Sequence, residues 1–250
     1  MPEQYGDMKF DEAIAFFRDK INLPSEKWSD IIAEMHNRGF TVAGVTKAEQ
    51  LADFRAAVDA AITDGKTLQE FQKDFDSIVE KHGWDFVGGR IWRAAVIYDN
   101  NVTAAHAAGR RQQQRDPDVM RQRPYWRYRH SDVSENPREK HLGWDGLVLA
   151  ADDPWWDTHY PPNGWGCKCF VETLSKRDLE KMNKTGPDAA PETQYREWKN
   201  PSTGETETVP EGIDPGWDHA PGEKKYTPNL DKYPPELREQ VEAELDENRS

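Results

Sequence analysis

Cysteine is nearly absent from this 250-residue chain. There are two, Cys167 and Cys169, one residue apart. In an extended segment their Cα atoms would lie near the ~6.8 Å upper limit for a disulfide, so a disulfide-stapled scaffold is excluded and thiols or metal ligands are expected. Long hydrophobic runs are missing as well. No stretch of about 18 apolar residues occurs, which leaves no membrane-spanning helix to expect, and Met1–Gly6 lacks the basic, apolar, small-residue order of a secretion signal. We therefore expect a chain kept in a cytosol unless a larger assembly carries it out. Basic residues are outnumbered 33 to 46, for a net charge of −13. Each phosphate contact needs a local cation, so only a local basic patch could hold nucleic acid. What remains is a heavily solvated chain, 32% charged and 36% hydrophobic, long enough for one or two domains.

The first hundred residues read as helices. Phe10, Ala13, Ile14, Phe17 and Ile21 fall on one helical face, and Pro24 interrupts the pattern. Trp28, Ile31, Ile32 and Met35 predict a second short helix, with Gly39 placed for a left-handed C-terminal residue. Phe40, Val42 and Val45 alternate only briefly. Thr46 with Glu49 and Thr67 with Glu70 have the spacing of capping boxes. Each heads a stripe, Leu51, Phe54, Val58 and Ile62 in one and Leu68, Phe71, Phe75 and Val79 in the other, closed by Gly65 and Gly83. The longest helix is expected from Arg90 to Gln114. Its small face, including Ala94, Ala95, Ala104, Ala105, Ala107 and Ala108, suits a central, closely packed position.

The texture changes at Asp116. Short β-prone runs at Tyr125–Tyr128, Leu147–Leu149 and Cys169–Val171 predict a small antiparallel sheet. After Ser175 periodicity fades, and nine of the seventeen prolines fall between Pro187 and Pro235. An extended, draped or mobile segment is expected there, with a short acidic helix carrying Leu237, Val241 and Leu245 at its end. The reading is an α+β chain: a helical domain over residues 1–115, an α+β module over 116–180 and a Pro/Gly-rich tail over 181–250.

Four features bear on chemistry. Arg110, Arg111, Arg115, Arg121, Arg123, Arg127 and Arg129 interleave with Tyr125, Trp126 and Tyr128, and nearby in sequence only Asp116 and Asp118 oppose them. Guanidinium and aromatic faces together suit single-stranded nucleic acid and protein interfaces alike. The interaction surface is accordingly assigned to Arg121, Arg123, Tyr125, Trp126, Arg127 and Arg129. The second feature is the stretch Asp152–Cys169, with three tryptophans, three prolines and two glycines in eighteen residues. No regular helix or long strand accommodates that composition. A knot fixed by ring packing is expected around Asp153, Trp155, Trp156, His159, Pro161, Pro162, Asn163 and Trp165. Cys167 and Cys169 there present their sulfurs on one side, and His141 and His159 are the histidines that could complete a zinc tetrahedron.

The third feature is catalysis. Asp157, His159 and Asn163 have the look of a metal-dependent nuclease loop, and Cys167 with His141 could be cast as nucleophile and base. A reactive cysteine needs an electropositive, partly exposed setting, whereas glycine, tryptophan and one lysine surround this pair. We expect no enzyme. The fourth feature is GIDPGWDHAPG (Gly212–Gly222), which reads as a turn-rich surface loop anchored by Trp217.

The order of these rare strings, RPYWRYRHSD, then R-x-x-H at Arg138–His141, then GLVLAADDPWWDTHYPPNGWGCKC, then GIDPGWDHAPG, resembles the phage Mu F-like minor head proteins. This is the head morphogenesis family that includes the SPP1-type minor head proteins. The resemblance extends over roughly residues 10–222 and takes in the N-terminal EAIAFF and FTVAGV segments. It implies a non-catalytic minor capsid component acting in prohead assembly, in contact with portal protein, major capsid protein or packaged phage DNA. It also implies a location in the virion head, and in host cytoplasm during assembly. The competing reading is a metal-dependent nuclease or a DNA-binding protein acting on packaged DNA. Many relatives carry an upstream C-x-x-C and a downstream cysteine pair that look like a zinc site. Here Arg138 and His141 replace the first pair, so His141, Cys167 and Cys169 are the ligands carried over, with His159 the candidate fourth and zinc the candidate metal.

Overall fold

The computed structural model describes residues 9–30, 35–133, 136–201, 203–222, 238, 239 and 242. The expected stripe residues Ile31 and Ile32, the side chain of Met35, and the acidic helix of Leu237, Val241 and Leu245 lie outside the described residues.

The N-terminal half is a helical body built around one apolar core. Helix α1 (Asp11–Arg18) buries Ala13, Ile14 and Phe17. Ile21, expected to continue that helix, instead opens the short strand β1 (Ile21–Asn22). After a 3₁₀ turn at Trp28–Asp30 and helix α2 (Met35–Arg38), strand β2 (Gly39–Phe40) pairs in parallel with β1, Ile21 opposite Gly39. Gly39 is thus extended backbone rather than a left-handed cap, and Trp28 is 40% exposed. Helix α3 (Ala48–Asp64) starts two residues after Thr46, with Lys47 at its N-cap and no side-chain cap, so the first expected capping box does not form. The second does. Thr67 and Glu70 satisfy each other's free amides at the start of α4 (Leu68–His82), and Gly65 and Gly83 take the left-handed conformation at the two C-termini. Helix α5 (Arg90–Gln114) matches its sequence-read bounds and packs against α1, α3 and α4. Its Ala94, Ile97 and Ala105 join Phe54, Phe71 and Phe75 in the first core.

The last turn of α5 reaches a second core, where Gln114 bonds to Val171 and Tyr160. Helix α6 (Pro117–Gln122), capped by the Asp116 carboxylate, leads into strand β3 (Tyr125–Arg129). β3 is the middle strand of an antiparallel sheet, flanked by β4 (Val148–Ala150) and β5 (Phe170–Leu174), with Trp126 opposite Leu149 and Thr173. Strand periodicity sends Trp126 and Tyr128 inward and Arg127 and Arg129 to the other face. Between the strands lie α7 (Glu139–Trp144) and α8 (Trp155–His159), whose rings fill the second core.

The segment after Ser175 is more ordered than its composition predicts. Ser175 and Asp178 form a capping box on α9 (Lys176–Lys181). Further on, β6 (Tyr195–Lys199) and β7 (Thr206–Pro210) make a hairpin. The chain then turns back into the second core, where Ile213, Trp217 and Ala220 are 1–4% exposed. Its end is tied to the helical body by Asn37, whose amide donates to the Ala220 carbonyl and accepts from the Gly222 N–H, both at 3.0 Å. A segment that buries isolated residues between turns has no period, so its packing leaves no sequence pattern.

Candidate metal centre

His141 lies in α7, and Cys167 and Cys169 lie in the extended approach to β5. All three are buried, and one donor atom from each falls within 4.8 Å of the others. The His141 Nδ1 is 3.8 Å from the Cys167 sulfur and 3.5 Å from the Cys169 sulfur. On the far side of the ring, Nε2–H donates to the Gly212 carbonyl at 2.8 Å. That bond puts the proton on Nε2 and turns the Nδ1 lone pair toward the thiols, an arrangement typical of outer-shell support for a metal-binding histidine. Trp144 stacks on the same ring with 5.3 Å between centroids, and Tyr128 meets it edge-on.

The two thiols share a proton unequally. The link to Cys167 above all, with His141 and Tyr128 close by, holds Cys169 well below the ordinary thiol range, while the same link to Cys169 and burial push Cys167 up. Two sulfurs and an imidazole nitrogen are a donor set for a borderline-soft divalent cation, zinc foremost. The residues present fit such an ion.

His159 is not in this cluster. Its ring lies flat on Trp155, 4.2 Å between centroids, and its Nδ1 is 3.1 Å from the Trp155 carbonyl within α8. Helix α8 turns it into the ring stack and away from the thiols. The histidine that does approach is His130, just past β3, whose Nδ1 is 3.6 Å from the Cys169 sulfur. The sequence reading did not single it out.

The loop around the cluster is held by specific contacts. The Asp153 carboxylate accepts from the Trp155 N–H, the Trp156 indole donates to the Ala150 carbonyl, and Tyr128 donates to the fully buried Asn163 at 3.0 Å. Pro161 and Pro162 are joined by a cis peptide bond. Trp165 packs edge-on against Trp217. With Asn163 and His159 engaged in this way and Asp157 exposed, the three residues of the nuclease-like reading serve separate environments. GIDPGWDHAPG is no surface loop. It brings Gly212 to His141, Asp214 to Arg138 and the Trp165 amide, and Trp217 into the core. The turn residues marked this string, but nothing local in it tells which elements it joins.

The arginines meet carboxylates that the linear neighbourhood hides. Arg127 and Arg129 share Glu172, Arg129 also reaches Asp145, and Arg123 reaches Asp178 and the Thr173 carbonyl. Arg121 pairs with Asp118 as its spacing suggests, and Arg111 is buried against the Tyr160 ring. Tyr125 is half-buried and Trp126 fully buried. Arg110, Arg115 and Arg121 are the exposed members of the run. Arg110, Arg123, Arg127 and Lys181 line an open groove of about 620 Å³ beside β5.

Residues 52–172, which include all three cluster residues, match the family model described as "Phage Mu protein F like protein". Along its whole length the chain aligns at 30% identity with a protein of Escherichia phage Mu described as "Putative capsid assembly protein F", covering 65% of that protein. Over 60% of its length it is 38% identical to the "Mu-like prophage FluMu F protein" of Haemophilus influenzae, covering 38% of that one. The chain therefore spans less than two thirds of the length of either relative. No solved structure matches.

Proposed function

We propose that this chain acts, as a phage Mu F-like protein, in phage head assembly as a non-catalytic minor component. The observation that carries the reading is the burial of its chemistry-bearing residues. His141, Cys167, Cys169 and His159 are each 7% exposed or less and point into a core of stacked rings. That arrangement favours holding a shape over processing a substrate. Alignment of the whole chain with a relative described as a capsid assembly protein supports the same reading.

In this reading His141, Cys167 and Cys169 hold zinc, which cross-links α7 to the approach of β5. A structural zinc site contributes on the order of 10 kcal/mol of apparent binding at neutral pH, enough to hold a three-stranded sheet and an irregular loop in one geometry. The partner is the portal or the major capsid protein, reached through the exposed arginines Arg110, Arg115 and Arg121 and the groove beside β5. Packaged DNA is the competing partner of the same arginines.

The test is to isolate DNA-free proheads and fractionate them. Cofractionation of the chain with portal protein supports the proposal, and association that appears only in filled heads and is lost on nuclease treatment replaces it with the DNA reading. The triple reversal R110E/R115E/R121E should leave the isolated fold intact and lower incorporation into heads; unchanged incorporation removes these arginines. Plasmid cleavage by the purified chain, abolished by His141→Ala, would overturn the non-catalytic reading.

A further inference from the structure

We propose that His130 is the fourth, solvent-side ligand of the metal centre, closing it as an all-protein Cys₂His₂ site; this rests on the zinc reading above. Three donors leave a tetrahedral ion one position short, and the occupant of that position separates a closed structural site from an open reactive one. Zinc–sulfur and zinc–nitrogen bonds of about 2.3 and 2.0–2.1 Å at a tetrahedral angle place the two donors about 3.6 Å apart. The His141 Nδ1 stands 3.5 and 3.8 Å from the two sulfurs, and the His130 Nδ1 stands 3.6 Å from Cys169. Both imidazoles therefore approach Cys169 at the separation that a shared ion imposes.

The backbone puts His130 there. Its N–H donates to the Asp145 carboxylate at 2.8 Å, which fixes the chain as it leaves β3. The side chain is half-buried, whereas the other three ligands are buried, so it stands where the cluster meets solvent. The buried three close on one another without it. It touches one sulfur and completes the set by turning its ring toward the shared centre, a movement that its half-exposed place beyond the end of the strand allows. The other nearby polar groups are engaged. His159 is held by Trp155, and the Tyr128 hydroxyl donates to Asn163. Both cysteines would bind as thiolates.

The experiment loads the full chain with cobalt(II) and, separately, measures zinc affinity by competition with a chelator. Wild type should take up one ion and show the intense d–d bands of a four-coordinate site with sulfur-to-cobalt charge transfer. His130→Ala should weaken zinc binding at least about tenfold and change the d–d bands as water replaces nitrogen. His130→Cys should recover the affinity and raise the charge-transfer intensity by one thiolate, which a merely structural role for His130 would not produce. His159→Ala should change neither. A His130→Ala protein that matches wild type in spectrum and affinity, while His141→Ala loses the metal, overturns this assignment alone. A wild-type chain that binds no ion overturns the zinc reading and this assignment together.

Discussion

The Gln114 side-chain amide donates to the Val171 carbonyl at 2.9 Å, joining the last turn of α5 to the outer edge of β5. The other end of the same amide accepts from the buried Tyr160 hydroxyl at 2.8 Å. One side chain thus satisfies two buried polar groups and connects the helical body to the sheet module. Truncation as Gln114→Ala strands both partners, and leaving a buried donor or acceptor unpaired costs about 1–3 kcal/mol each. We expect a loss of about 2–4 kcal/mol, read as a lower denaturant midpoint at unchanged slope. Tyr160→Phe removes one partner and should cost less.

Acid should destabilise the protein through two histidines that fold in neutral form. Burial lowers His159 from 6.5 to about 4, and burial, with His36 and Lys20 nearby, lowers His219 to about 3. These are bases with depressed values, so below about pH 6.5 the unfolded chain takes up protons that the folded chain refuses. Stability then falls as pH drops from 6.5 toward 4 and is flat with respect to these groups above 6.5. Each histidine contributes a slope of up to about 1.4 kcal/mol per pH unit. His159→Phe keeps a ring against Trp155 and removes one titration. Denaturation between pH 7 and 5 should show its slope reduced by roughly one proton, and an unchanged slope would exclude His159 as a source.

One of these histidines, His159, shows what was legible in the sequence. Periodic elements could be read because amphipathic spacing is local: α4 with its Thr67–Glu70 box, α5 to its terminal residues, and the three strands of the sheet. The cluster of His141, Cys167 and Cys169 could be named from residue type and resemblance. That His159 stays outside it could not, because this turns on the short helix α8, which aims His159 into the ring stack. The return of Ile213–Ala220 into the core was equally hidden, since a loop that buries one residue per turn carries no period. Charge followed the same rule. Glu172, which pairs with Arg127 and Arg129, is more than forty positions away in sequence and adjacent only across the β3–β5 ladder.

Asp214 couples the Gly212–Gly222 segment to the loop that carries Trp165 and the cysteines. Its carboxylate accepts from the Trp165 N–H at 2.9 Å and pairs with Arg138, and it lies directly over Gly164. A Cβ at Gly164 would stand 2.3 Å from the Asp214 oxygen and 2.8 Å from the Arg138 guanidinium. Gly164→Ala must therefore push the pair apart, with a loss of about 1–3 kcal/mol typical of overpacking. Because both substitutions disturb the same ion pair, Gly164→Ala and Asp214→Ala should be strongly non-additive. A double-mutant cycle with a coupling energy near zero would show that the glycine is tolerant and that the pair stands independently.

Gly109 sits inside α5, where alanine is intrinsically better by about 1 kcal/mol, so helix propensity alone makes Gly109→Ala a stabilising change. Packing predicts the opposite. A Cβ at this position would lie 2.7 Å from the backbone nitrogen of Ala13, 3.1 Å from its Cα and 2.9 Å from the Phe10 ring. Two of those atoms are backbone of α1 and cannot rotate aside, so α1 must lift from α5. α1 carries Ala13 and Phe17, both fully buried in the first core, and a lift therefore opens that core as well as the contact. Overpacking of this kind costs about 1–3 kcal/mol or more, which exceeds the propensity gain. Thermal unfolding of Gly109→Ala should show a lowered midpoint. A surface control in the same helix, Gln112→Ala, should leave it nearly unchanged, and a raised midpoint for Gly109→Ala would mean that the two helices are not in the close contact described.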